Sequence, residues 1–189
     1  MPEMITREQY LEQTKQVYAL MGEFVVEFEQ VCLSLKTGIT ILTNLHGLKN
    51  QQLINAVLAE YTAYPLLKVF ISVFLEEKEN VNDMPERLKE INSRMTKLTE
   101  IRNDYVHGTL FVGFGNEQTQ TYETANGFKL KNTKKGVVVN NLTINDETFM
   151  EHVTECRSLK KYINETFSKV ILSRVPDVEL NIDAESSSK

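Results

Sequence analysis

Over most of the chain, apolar residues recur three and four positions apart, which is the period of an amphipathic helix. The first such run contains Val17, Leu20, Met21, Phe24, Val25, Phe28, Val31, Cys32 and Leu35. Thr6 precedes it as an N-cap, with Gln9 placed to complete a capping box, so a helix is predicted over residues 6–35. Thr37-Gly38 interrupts the pattern, and residues 39–45 form a short apolar stretch closed by His46-Gly47. A second helix is predicted over 51–63 with Leu53, Ile54, Val57, Leu58 and Tyr61 inward. Pro65 suits the first turn of a third helix reaching about 79, apolar nearly all round and therefore central. In the fourth, Asp83 is the candidate N-cap and Pro85 lies in the first turn. Met84, Leu88, Ile91, Met95 and Leu98 then repeat at alternating spacings of four and three, a packing seam. This helix continues through Ile101, Arg102, Tyr105 and Val106 and stops at Gly108.

After Gly108 the period changes. Residues 109–114, 119–124, 127–131 and 136–140 are short, rich in Thr, Val, Tyr and Phe, and separated by Gly or Asn turns. They predict a small antiparallel β insert of three or four strands. Asp146 is expected to cap a last helix with Phe149, Val153, Cys156, Leu159, Ile163, Phe167, Val170 and Ile171 inward. The expected fold is mainly α: an up-down bundle of about five helices, with the insert between the fourth and the last. Residues 1–173 would form one domain, and the acidic residues 174–189 a disordered tail.

Composition narrows the picture in three ways. No apolar run approaches the roughly 18 residues of a membrane span, and no signal-peptide pattern opens the chain, so a cytoplasmic location is expected. The two cysteines, Cys32 and Cys156, lie in apolar helical runs without metal-ligand spacing and read as buried, reduced thiols. The net charge of −5 argues against sequence-independent phosphate binding by the whole surface. It leaves room for a local basic patch, for which Lys129, Lys131, Lys134 and Lys135 are the candidates. No Gly-rich phosphate loop, HExxH, GxSxG or CxxC occurs, so neither a metal nor a cofactor is expected.

Candidate chemistry concentrates at the end of the fourth helix. Histidine suits proton transfer near neutral pH, and arginine grips phosphate with a forked donor set. His107 stands five residues after Arg102, with Asn103 between them. At about 100° per residue Asn103 and His107 share a face, whereas Arg102 and His107 are separated by about 140° in an ideal helix. Bringing them together requires the long arginine to wrap round, the helix to distort, or a second chain to supply one partner. Arg102 also occupies the seam position after Leu98, where an apolar residue is expected, so its cation needs a carbonyl, a carboxylate or a bound phosphate.

The run Ile101-Arg102-Asn103-Asp104-Tyr105-Val106-His107-Gly108 resembles the Arg-x4–6-His signature of HEPN (higher eukaryotes and prokaryotes nucleotide-binding) domains, in which a polar residue commonly follows the arginine. The helical layout from about residue 6 to 172 is similar to that family, and the β insert resembles its elaborated bacterial members. The resemblance implies metal-independent RNA cleavage in a homodimer that joins two motif helices, with 2′,3′-cyclic phosphate products. His107 would move the proton, Arg102 would stabilise phosphate charge, and Asn103 would orient His107 or the substrate. A toxin or defence role with a cognate antitoxin is the implied setting. Other members of the family are partner-binding or nucleotide-binding modules, and a plain helical scaffold is the third reading.

Overall fold

The computed structural model describes residues 6–78, 81–113, 124–133 and 136–174. Five helices and one three-stranded sheet are found there: α1 (Arg7–Leu45), α2 (Gln51–Ala59), α3 (Ala63–Leu75), α4 (Met84–His107), β1 (Thr109–Val112), β2 (Thr124–Thr133), β3 (Gly136–Asn145) and α5 (Asp146–Ser173). The chain is thus mainly helical, with the small sheet between α4 and α5. The predicted strand at 119–124 lies, but for Thr124, outside the described residues, as does the expected tail beyond Arg174. None of the described helices is long and apolar enough to cross a membrane.

The long α1 is the spine. Its N-terminus carries the expected capping box: Gln9 N donates to Thr6 Oγ1 at 3.2 Å and Thr6 N donates to Gln9 Oε1 at 2.9 Å. The helix does not stop at Thr37-Gly38 but runs unbroken to Leu45. Glycine weakens a helix without breaking it, and here tertiary contact requires it. A Cβ at Gly38 would stand 2.8 Å from Phe70 Cε2 and 3.3 Å from Phe167 Cδ1, so α3 and α5 both close on the spine at that point.

The pairings fix the directions. Glu27 meets Arg157 and Lys160, and His46 meets Arg174, so α1 and α5 run the same way. Arg94 binds Glu155, whereas Asp83 binds Lys169, so α4 runs against them. The short α2 carries the chain back towards Cys32 and Lys36, where α3 begins. The seam of α4 is buried throughout: Met84, Leu88, Ile91, Met95 and Leu98 are all 3% exposed or less. Burying such side chains contributes about 1.5–3 kcal/mol each relative to exposure.

Several expectations are corrected. In α2 only Ile54 and Leu58 are buried, while Leu53 and Val57 are exposed, because the helix rests on α1 by one stripe. In α3 the buried stripe is Leu66, Leu67, Phe70 and Phe74, and Leu75 is exposed, so this helix flanks the core rather than filling its centre. Asp83 precedes α4 but makes no side-chain cap; its carboxylate binds Arg87 and Lys169 instead, and these two cations hold it below the usual carboxylate range. Asn145, not Asp146, caps α5, its Oδ1 accepting from Thr148 N at 2.8 Å. Gly108 ends α4 as expected, with an extended backbone at φ −81° and ψ 160°. A Cβ there would meet Asp104 O at 2.3 Å.

The sheet has the order β1-β2-β3, antiparallel throughout. Thr109 pairs with Phe128 and Val112 with Ala125, which roots β2 beside the end of α4. Ala125 and Ile144, opposite each other, enter the core.

Candidate functional site

The last turns of α4 send successive side chains to different tasks. Tyr105 points into the core, 7% exposed, with Phe24 and Phe149 edge-on at 5.2 and 5.1 Å. Its hydroxyl is hydrogen-bonded to His152 Nδ1 at 2.8 Å. Asp104 accepts from Lys129 Nζ at 2.8 Å, which ties β2 to α4. With these two residues anchored, Arg102, Asn103 and His107 are left on the face that lines a cavity of about 450 Å³.

Arg102 and His107 meet within a single chain. Arg102 Nη1 lies 3.4 Å from His107 Nε2 and 3.5 Å from Asn103 Oδ1, and α4 stays helical through His107. The arginine therefore closes the 140° gap by its own length, without a kink or a second chain. A guanidinium nitrogen can only donate, so this contact uses Nε2 as the acceptor and leaves the proton of a neutral ring on Nδ1.

The guanidinium sits over the Phe28 ring, 6.0 Å from its centroid, and its stem continues the buried seam. The one carboxylate near it, Glu29, is 3.9 Å away and 58% exposed, the outer limit of an ion pair. Arg102 Nε is buried and finds no hydrogen-bond partner among the described residues. A buried donor without an acceptor costs about 1–3 kcal/mol.

The other walls come from α1, with Phe28, Glu29, Cys32 and Lys36, and from the α2–α3 link, with Tyr61, Thr62 and Tyr64. Lys36 adds a second cation. Thr99 also lines the cavity, but its hydroxyl is occupied by Met95 O at 2.7 Å. Cys32 is not a nucleophile, since burial pushes its thiol up to about 12, and Cys156, also buried, is pushed to about 12 as well. Among the described residues no group of three or more His, Cys, Asp or Glu is arranged to hold a metal ion.

No protein-family model, curated protein or solved structure matches the chain. What the site does must be read from its own chemistry. Arg102, Asn103 and His107, singled out in the sequence, converge on one cavity. Of the expected basic patch, Lys129 is engaged with Asp104 and does not line the cavity, Lys131 lies on β2, and Lys134 and Lys135 fall outside the described residues. Lys36, Glu29, Tyr61 and Tyr64 were missed. Glu29, Cys32 and Lys36 stand three and four apart on α1, a stripe that joins the site only because α1 packs beside the end of α4.

The anchor beneath the site carries a pH dependence. Burial holds the His152 imidazole below its ordinary value of 6.5. The unfolded chain therefore takes up this proton at a higher pH than the folded one. The stability contributed by His152 is complete above about pH 6.5 and is lost as pH falls through that value towards the folded pKa. Denaturant unfolding between about pH 7.5 and 5 is expected to show stability falling with acid, and His152→Gln should flatten that slope. Tyr105→Phe, which removes the hydrogen bond to Nδ1, should lower stability by about 1 kcal/mol while keeping the slope. A wild-type profile that is flat in this range would contradict the assignment.

Proposed function

We propose that this chain is a HEPN-type endoribonuclease that cleaves RNA without a metal ion at the Arg102–His107 cleft, acting as a homodimer. The observation that carries the reading is Arg102, whose Nε is buried without a partner and whose Nη1 lies 3.4 Å from the His107 imidazole, on the wall of a cavity of about 450 Å³. A volume of about 450 Å³ falls within the range of small-ligand sites. A phosphodiester oxygen in the cavity accepts from the guanidinium, in the charge-assisted geometry guanidinium favours.

In the reaction so drawn, His107 Nε2 takes the proton of the ribose 2′-hydroxyl, whose oxygen attacks the adjacent phosphorus. The bond from phosphorus to the 5′ oxygen breaks. Arg102 stabilises the negative charge that grows on the phosphoryl oxygens, and Asn103 holds the guanidinium in place through its Oδ1. The leaving oxygen needs a proton. One cleft offers one imidazole, and two α4 ends side by side offer a second. Val106, 44% exposed on the outer side of the last turn, gives such a pairing an apolar contact.

The test is incubation of purified protein with single-stranded RNA in excess EDTA. Fragments with 2′,3′-cyclic phosphate and 5′-hydroxyl ends are expected, and a 2′-O-methyl RNA should remain whole. RNA left intact, or cleavage that EDTA abolishes, would refute the proposal.

A further inference from the structure

The spine helix α1 buries one side and leaves an apolar line on the other. Leu11, Tyr18, Val26 and Leu33 are 44%, 58%, 60% and 53% exposed. They follow one another at spacings of seven, eight and seven residues. At about 100° per residue they fall within an arc of about 80°, along about 33 Å of helix. Such a line has the spacing of a helix-packing seam, and no described element covers it.

The face is symmetric about Gly22. Leu11 and Leu33 stand eleven residues to either side of it, and Tyr18 and Val26 four. The charges on the same face are opposite in sign across that centre: Lys15 and Glu29 lie seven residues to either side, and Glu8 and Lys36 fourteen. Among the described residues Glu8, Lys15 and Lys36 make no ion pair, and Glu29 makes only the 3.9 Å contact with Arg102. Gly22 itself is exposed, and a Cβ there would meet nothing within 4 Å. Unlike Gly38, it answers to no described contact within the chain, although glycine weakens a helix relative to alanine. At the centre of an open face it lets a second helix come close.

We propose that two copies of the chain pair antiparallel along this face of α1, about a twofold axis at Gly22. Each residue then stands level with the one equally far beyond the glycine. Leu11 meets Leu33, Tyr18 meets Val26, Lys15 meets Glu29 and Glu8 meets Lys36, and the symmetry makes every pairing twice. A parallel arrangement would set each charge against its own like, so the pattern selects the direction as well as the partner. The pairing deepens the homodimer of the nuclease reading without resting on its chemistry. Glu29 and Lys36 belong to the cavity wall as well as to this face, so Lys15 of a second copy neutralises the carboxylate beside Arg102. Arg102 lies over Phe28 and Tyr105 against Phe24, so the last turn of α4 runs on towards the level of Gly22. An axis at that level, perpendicular to the plane of the two α1 helices, keeps both α4 ends at one height and on one side of the pair.

The experiment is sedimentation equilibrium of the full chain and of full-length Lys15→Glu, Glu29→Lys and the double variant, with circular dichroism to check that each is folded. The wild type should be a dimer that dissociates on dilution. Each single reversal sets like charges together at both ends of the pair and should weaken association by about tenfold or more. The double variant, and an equimolar mixture of the two single variants, should associate as the wild type does. Within one chain residues 15 and 29 are about 21 Å apart along the helix, so such recovery reports a contact between chains. Gly22→Arg, which sets two cations face to face on the axis, should leave a folded monomer. A monomeric wild type overturns the proposal, as do single variants that associate like the wild type or a double variant no better than either single one. A dimer that leaves RNA whole refutes the nuclease and keeps this pairing; cleavage by a monomeric wild type does the reverse.

Discussion

His107→Ala should lower RNA cleavage by about 10²–10⁴-fold, the range for loss of a general base, while the melting temperature stays close to wild type. The two halves of this expectation rest on different observations. His107 is exposed and meets Arg102 at 3.4 Å, so deleting the ring removes little packing. Surface substitutions of this kind stay within about 0.5 kcal/mol. The same contact places the imidazole beside the donor that would hold the phosphate, so the loss falls on chemistry. Arg102→Ala should behave differently. It should lose about 10²–10³-fold in rate and also some stability, because its guanidinium lies over the buried Phe28 of α1. Single-turnover cleavage and thermal melting, read together on both variants, separate the roles. Cleavage that survives His107→Ala removes the imidazole from the mechanism. Loss of cleavage matched by loss of folding makes it a structural residue.

The sequence carried some of this directly. The α4 seam was legible because one helix buries one stripe, and spacings of four and three mark that stripe without any knowledge of its neighbours. The sheet was legible from a change of period after Gly108. The encounter of Arg102 with His107 was not, because helical angles describe where Cβ atoms point, and an arginine reaches well past its own Cβ direction. Nor were Lys36, Tyr61 and Tyr64, since they join the site only when α1, the α2–α3 link and α4 converge. Lys129 looked like part of a phosphate-binding patch, as a lysine among lysines does. In the fold it faces Asp104, a carboxylate in the middle of the motif itself.

Gly38→Leu should destabilise the protein by more than about 3 kcal/mol, judged from the cost of overpacking a filled core, and so lower the melting temperature by roughly 6–12 °C. Glycine inside a helix ordinarily costs about 1 kcal/mol against alanine, and on that ground alone any side chain would help. Packing reverses the sign here. An added Cβ would lie 2.8 Å from Phe70 Cε2 and 3.4 Å from Phe74 Cζ, and those two rings stack at 4.2 Å with no exposure. Phe70 cannot yield without disturbing Phe74, and Phe167 blocks the other side at 3.3 Å. Alanine at this position sets the propensity gain against a single tight contact and should still lower stability, by about 1–2 kcal/mol. Leucine adds atoms for which α1, α3 and α5 leave no room. The consequence reaches the site, because α3 begins at the tyrosine-bearing wall and prying it from α1 widens the gap between Tyr64 and Lys36. Gly38→Ala should therefore weaken RNA binding, measured by fluorescence anisotropy, along with stability. A rise in melting temperature on Gly38→Ala would show that the helices pack more loosely than these distances, and that the glycine answers to something other than their contact.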